Sequence, residues 1–314
     1  MDRHDVNWKG YWPAVPTPFT RDGALDERAL RELLRMYLAQ GMHGVLINGT
    51  TGEWFSQSDL ERKRLAEIAT EELGGKISVV IGCTTYTAAQ TSELARHARS
   101  VGADGALSTT PPYAHLNPDE LVAFYRTISD NVDIPLMVYN WPRGVAVNIQ
   151  TDTVRRLAQI PNVVAIKNST TDKNQFYDTL VAVVDQIRVF GDYLSPVGIA
   201  VMTQIGGDGF IGGGGLLGAE EPEFFESVWS GNVARAREIA QRETTLIGQL
   251  CNADYSGKYG SPQAWLKAAM NMLGQPAGYP RPPLLPVEAP EKLAAIRAAL
   301  ESVGLAIREP VGAR

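Results

Sequence analysis

Short runs of apolar, often β-branched residues recur along the chain with little polar alternation, separated by stretches whose apolar positions return every three or four residues. The runs are Ala14–Phe19, Gly44–Asn48, Ile77–Ile81, Gly105–Ser108, Ile134–Tyr139, Val163–Lys167, Ile187–Phe190 and Gly209–Gly212. Between them, helical spacing predicts helices such as Asp26–Gln40, Ser58–Leu73, Ala88–Val101 and Pro118–Asn131. Asp26 and Ser58 are N-cap candidates, the second with Glu61 three residues on, a capping box. Gly41, Gly74 and Gly102 fall just past helix ends, where a left-handed residue is expected. Apolar runs without alternation, each followed by a helix, imply parallel strands covered on both faces. Eight such units predict an α/β fold, a (β/α)8 TIM barrel over residues 1–230. A doubly wound open sheet is the rival. The turn after the first run, Val15-Pro16-Thr17-Pro18-Phe19, lacks its Gly-x-Gly-x-x-Gly pattern. Helical stretches at Val233–Leu250, Pro262–Leu273 and Pro290–Val303 predict a C-terminal helical extension, residues 231–314, packed on the barrel.

At 314 residues the chain can bury a large core without disulfides or metal. Its net charge of −6 argues against nucleic acid or an anionic membrane as partner. The two cysteines, Cys83 and Cys251, are far apart and read as buried thiols in a reducing compartment. Met1–Asp5 is not a signal peptide, and the apolar runs are too short to span a bilayer, so a cytoplasmic protein is expected.

In a parallel barrel the chemistry collects at the C-terminal strand ends. The sixth run ends on Lys167. A lysine there is either a surface residue whose strand stopped early, or an amine partly neutralised by burial and able to attack a carbonyl. The fifth run ends on Tyr139, a rim packing residue or a phenol that passes protons. The second ends in Asn48-Gly49-Thr50-Thr51-Gly52-Glu53, whose backbone N–H groups and hydroxyls suit a carboxylate. It could equally be a tight turn in which Glu53 caps the next segment. Gly212–Gly215 follow the eighth run. With no Lys or Arg beside them, room for close approach of a ligand is preferred to a phosphate site. No metal-binding motif is present and the four histidines are scattered, so neither metal nor cofactor is expected.

Gly49-Thr50-Thr51-Gly52-Glu53, Tyr139-Asn140-x-Pro142 and Ala165-Ile166-Lys167 together resemble the dihydrodipicolinate synthase/N-acetylneuraminate lyase superfamily. The likeness runs from Pro13–Phe19 through Thr110-Pro111-Pro112-Tyr113 and Gly191-Asp192 to Leu266-Lys267-Ala268-Ala269 and Arg281-Pro282-Pro283-Leu284. The 28-residue step from Tyr139 to Lys167 is similar too. The resemblance implies a lyase in which Lys167 forms a Schiff base with pyruvate or another 2-keto acid, joining it to an aldehyde or releasing one. Tyr139 would shuttle protons, Thr50 would link it to Tyr113, and Tyr113 would reach in from a neighbouring subunit of a homodimer or dimer-of-dimers tetramer. Gly49, Thr50, Thr51 and the Ile211 backbone would line the keto-acid pocket. The synthase branch carries an arginine for a distal carboxylate where this chain has Gly144. Arg143, one residue earlier, is the candidate replacement, beside bulky Trp141 and Trp54. The alternatives are dehydration of a 2-keto-3-deoxy sugar acid through the same imine, or a non-catalytic keto-acid binder.

Overall fold

A computed structural model describes residues 1–308. Eight parallel strands close into a barrel in sequence order. They are β1 (Gly10–Ala14), β2 (Gly44–Ile47), β3 (Ser78–Gly82), β4 (Gly105–Thr109), β5 (Leu136–Asn140), β6 (Val163–Asn168), β7 (Arg188–Phe190) and β8 (Gly209–Gly213). Closure is made by β8 pairing with β1, Gly10 against Gly209 through Ala14 against Gly213. The helices are α1 (Glu27–Ala39), α2 (Asp59–Leu73), α3 (Ala88–Ser100), α4 (Pro118–Asp130), the single turn α5 (Pro142–Val145), α6 (Thr151–Leu157), α7 (Lys173–Val183), α8 (Pro196–Gln204) and α9 (Glu220–Trp229). Beyond them come α10 (Val233–Leu250), α11 (Pro262–Met272) and α12 (Pro290–Ser302), with α10 beside α8 and α9, and α12 against α10 and α11. No described helix is long and apolar enough to cross a membrane.

The caps do what the sequence asks. The Asp26 carboxylate accepts from the Ala29 N–H, and Ser58 and Glu61 close the capping box of α2. Gly41 and Gly102 are left-handed, but at the end of α2 that role falls to Gly75, at φ +72°. Gly74 is needed for a different reason: a Cβ there would lie 2.6 Å from the Thr70 carbonyl oxygen.

The largest departure is the first strand. The run Ala14–Phe19 overlaps β1 only at Ala14, and the strand lies upstream at Gly10–Ala14. Pro16 and Pro18 have no N–H to give a ladder, so residues 15–19 instead pass over the C-terminal end of the barrel, where the Thr17 hydroxyl donates to the Gly52 carbonyl at 2.8 Å.

Apolar residues form two shells, one between barrel and helices and one inside the barrel. At the base of the inner shell stand Trp8 and Trp12, ring centroids 5.8 Å apart. Gly44 and Gly105, the first residues of β2 and β4, make room for them: a Cβ would lie 2.5 Å from the Trp12 ring and 2.4 Å from the Trp8 ring. Above them come Leu46, Val80, Leu107 and Met137, then Tyr139. The thiols of Cys83 and Cys251 are free, but Cys251, at the C-terminal end of α10, is only half-buried.

The glycine run after β8 is also explained by packing. Gly214 and Gly215 are left-handed, and a Cβ on Gly214 would lie 2.8 Å from Met270 Sδ of α11. The Tyr37 hydroxyl donates to the Gly214 carbonyl at 2.7 Å. Gly214 thereby admits a helix of the extension close against the barrel rim.

Candidate active site

Alternation along β6 turns Ala165 into the barrel and, two residues on, Lys167 with it. Burial alone draws the Lys167 amine down to about 7 from the usual lysine range. At neutral pH a large share of it is therefore the free base, a nucleophile. Register places Tyr139 of β5 directly beside Lys167, whose Nζ stands 4.3 Å from the centre of the tyrosine ring. Burial pushes the Tyr139 phenol up, with the hydroxyls of Ser169 and Thr50 opposing the shift, so the phenol keeps its proton at physiological pH. Thr50 comes from the loop after β2 and Ser169 from the turn after β6. Sequence reading singled out the first and missed the second, whose only signal was adjacency to the lysine strand.

The pairing of Tyr139 with Lys167 is held by the next residue on each strand. Asn140 Nδ2 donates to Asn168 Oδ1 at 2.8 Å, and the Asn140 carbonyl accepts from the Ser169 N–H at 2.9 Å. Asn168 in turn donates to Gln175 of α7 at 3.0 Å, and the Ile149 N–H donates to Asn140 Oδ1 at 3.0 Å. All three side chains are buried. This network fixes Lys167 and Tyr139 against each other.

The 48–53 loop leaves β2 through a left-handed Asn48, φ +54°, and ends on a left-handed Glu53, φ +60°. Gly52 is tightly placed, since a Cβ would lie 3.0 Å from the Val15 carbonyl oxygen. Thr50 and Thr51 are half-buried, and their backbone N–H groups have no acceptor among the described residues. Those two donors and the hydroxyls can hold a carboxylate. Glu53 does not cap the following 3-10 turn. Its carboxylate is fully buried, 2.5 Å from Nζ of Lys267 on α11, and accepts from the Arg281 N–H at 2.9 Å. Lys267 also donates to the Thr17 and Tyr279 carbonyls, and Gln263 Nε2 donates to the Thr50 carbonyl at 2.9 Å. The extension thus grips the loop. Leu266–Ala269 and Arg281–Leu284, noted in the sequence as motif alone, are the parts that do it.

Three further candidates come from other strands and loops. Ile211 is buried inside the barrel on β8. Arg143, 39% exposed, stands on the rim with Nε 4.0 Å from an oxygen of Asp254. The space beside it is taken by Trp141: a Cβ at Gly144 would lie 2.3 Å from that indole. Tyr113 is 92% exposed and left-handed at φ +74°, an uncommon conformation for a bulky residue. Within one chain the hydroxyl chain joins Tyr139, Thr50 and Ser169, without Tyr113.

Sequence and fold comparisons agree with this geometry. Residues 7–302 match the dihydrodipicolinate synthetase family. A 4-hydroxy-tetrahydrodipicolinate synthase of Phenylobacterium zucineum is 34% identical over 96% of this chain and 99% of its own. A DapA-like lyase of Rhizobium meliloti is 32% identical over 90% of this chain and 91% of its own. Among solved structures, the dihydrodipicolinate synthase of Acinetobacter baumannii, crystallised with pyruvate, superposes with a TM-score of 0.85 at 27% identity, covering 95% of this chain and 99% of that one.

Proposed function

This chain belongs to the dihydrodipicolinate synthetase family, a family of lyases, and from that premise we propose that it joins pyruvate, or a closely similar 2-keto acid, to an aldehyde through an imine on Lys167. The observation that carries the reading is a buried amine drawn down to about 7 beside a phenol that stays protonated. The free amine adds to C2 of the keto acid, whose carboxylate lies on the N–H groups and hydroxyls of Thr50 and Thr51, with Gly49 and the Ile211 backbone lining the pocket. The Tyr139 phenol moves the proton from nitrogen to the alkoxide oxygen, giving the carbinolamine, then protonates that hydroxyl as water leaves. The iminium acidifies C3. The Tyr139 phenolate left as water departs takes a C3 proton, giving an enamine. The enamine attacks the aldehyde carbon, Tyr139 returns the proton to the new alkoxide, and water hydrolyses the new iminium to free Lys167. Thr50 and Ser169 keep the phenol aimed.

Tyr113 enters this scheme from a second copy. Its exposure and left-handed backbone have no account within one chain, and a partner's barrel mouth supplies one, so the working unit is a homodimer or larger. The segment from residue 231 onward belongs to the same unit, because Gln263 and Lys267 hold the loop that binds the keto acid.

Borohydride reduction in the presence of pyruvate tests the reading. A mass gain of one reduced pyruvyl group is expected on the wild-type chain and absent from Lys167→Ala. The same gain on the variant would sink it.

A further inference from the structure

The imine chemistry leaves the second substrate open, and the groups above Tyr139 narrow it. Trp141 stacks on Tyr139, centroids 6.0 Å apart and planes 20° from parallel. Tyr255 leans on Trp141 at 6.3 Å, and its hydroxyl donates to Asp192 Oδ2 at 3.2 Å. Asp192 comes two residues after Phe190, the partner of Lys167 across the β6–β7 pair. Tyr255 reaches there from a small turn closed by the antiparallel bridge of Cys251 and Gly257, at φ +63°, a conformation that costs a tyrosine energy. A continuous wall therefore leads from the reactive centre to the mouth through Tyr139, Trp141, Tyr255 and Asp192.

The charges on this wall come in opposed pairs. Lys173 Nζ lies 3.3 Å from Asp192, and Arg143 Nε 4.0 Å from Asp254. A second carboxylate on the incoming aldehyde would meet cations already facing acids, together with the two acids themselves. It also has no proton to give to Asp192. A hydroxyl has one, and can at the same time accept from the Lys173 ammonium.

We propose that this mouth selects a neutral, hydroxyl-bearing aldehyde, with Asp192 and Tyr255 as its specificity residues, and disfavours an aldehyde that carries a second carboxylate. The inference rests on the imine reading above and names the substrate class for that same site.

The full-length protein, with pyruvate, is assayed against glyceraldehyde, propanal and succinic semialdehyde as the hydroxylated, plain and carboxylated probes. The wild type is expected to favour glyceraldehyde over each of the others by about tenfold or more in kcat/KM. Asp192→Ala should cut the glyceraldehyde-to-propanal ratio by about tenfold and, by releasing Lys173, raise relative use of succinic semialdehyde. Tyr255→Phe should lower the same ratio in the same direction. Ratios taken within one variant are insensitive to how much of it is folded. A wild type that prefers succinic semialdehyde overturns the inference while the trapped pyruvate adduct still upholds the imine. Variants that lose all three aldehydes in equal proportion also overturn it, because a merely structural role predicts that result. Absence of the adduct from the wild type sinks both.

Discussion

Lys167 is the residue on which pH acts. Its free-base fraction grows as pH rises through about 7. The rate of imine formation with pyruvate, followed by rapid-quench borohydride trapping, is expected to climb through that value and level off well below the ordinary lysine range. Stability should follow the same linkage. Between about 7 and the pKa of an unfolded lysine the unfolded chain holds a proton that the folded chain lacks, so stability rises with pH across that window. The whole gain is on the order of 5 kcal/mol. Lys167→Met removes this dependence, so the variant should exceed the wild type in urea unfolding at pH 6.5 and lose most of that advantage by pH 10. Glu243 runs the opposite way. Burial, with Asp192 nearby, raises its carboxyl to about 7, so ionisation of the unfolded chain between the usual glutamate range and 7 lowers stability as pH rises. Glu243→Gln should therefore be more stable than wild type at pH 8. Lys167 and Tyr139 were legible in the sequence because each ends a buried strand, where a polar group has to be explained. Ser169, Gln263 and Tyr255 were not, because each acts through a contact made only once distant segments meet.

At the scale of elements, the network around Asn140 keeps β5 and β6 in step, and the Glu53–Lys267 pair keeps α11 on the loop after β2. Asn140→Ala deletes a side chain that bonds Asn168, Asn148 and the Ile149 N–H. It should cost about 2–3 kcal/mol in urea unfolding and lower kcat more than the KM for pyruvate. Lys267→Ala strands a carboxylate that is fully buried and should cost about 3–5 kcal/mol, whereas the paired change Glu53→Gln with Lys267→Met should recover much of that loss. The strands from β2 onward and the capped helices were readable to within two residues, because apolar periodicity and capping chemistry are local. The first strand was not. Its run of prolines and aliphatics marks buried chain, while the ladder belongs to the aromatic stretch just before, and hydropathy alone does not separate burial from pairing. The same limit applies to Gly214, whose need for bare backbone is set by Met270 more than fifty residues on.

For the whole molecule, the proposed exchange of Tyr113 between copies makes a test that a single chain cannot pass. Tyr113→Phe and Lys167→Ala should each be nearly inactive alone. Mixing them under conditions that let subunits exchange should restore activity, since the mixed dimer holds one centre with both groups intact. If mixing restores nothing, Tyr113 does not cross between chains. The closed eight-strand order and the packed extension were foreseeable from the count and order of units. Whether and how copies meet was not, because apolar periodicity reports burial within one chain and not which exposed face another chain would cover. The pair of indoles at the base has a kinetic consequence. With Trp8 and Trp12 filling the floor, the lysine sits at the end of a cul-de-sac, and traffic in both directions uses one doorway. On the proposed imine mechanism pyruvate would have to go in, and its water of condensation come out, before the aldehyde could occupy the passage. Turnover should accordingly be ordered, with excess aldehyde inhibiting in competition with pyruvate by parking in front of an unloaded amine.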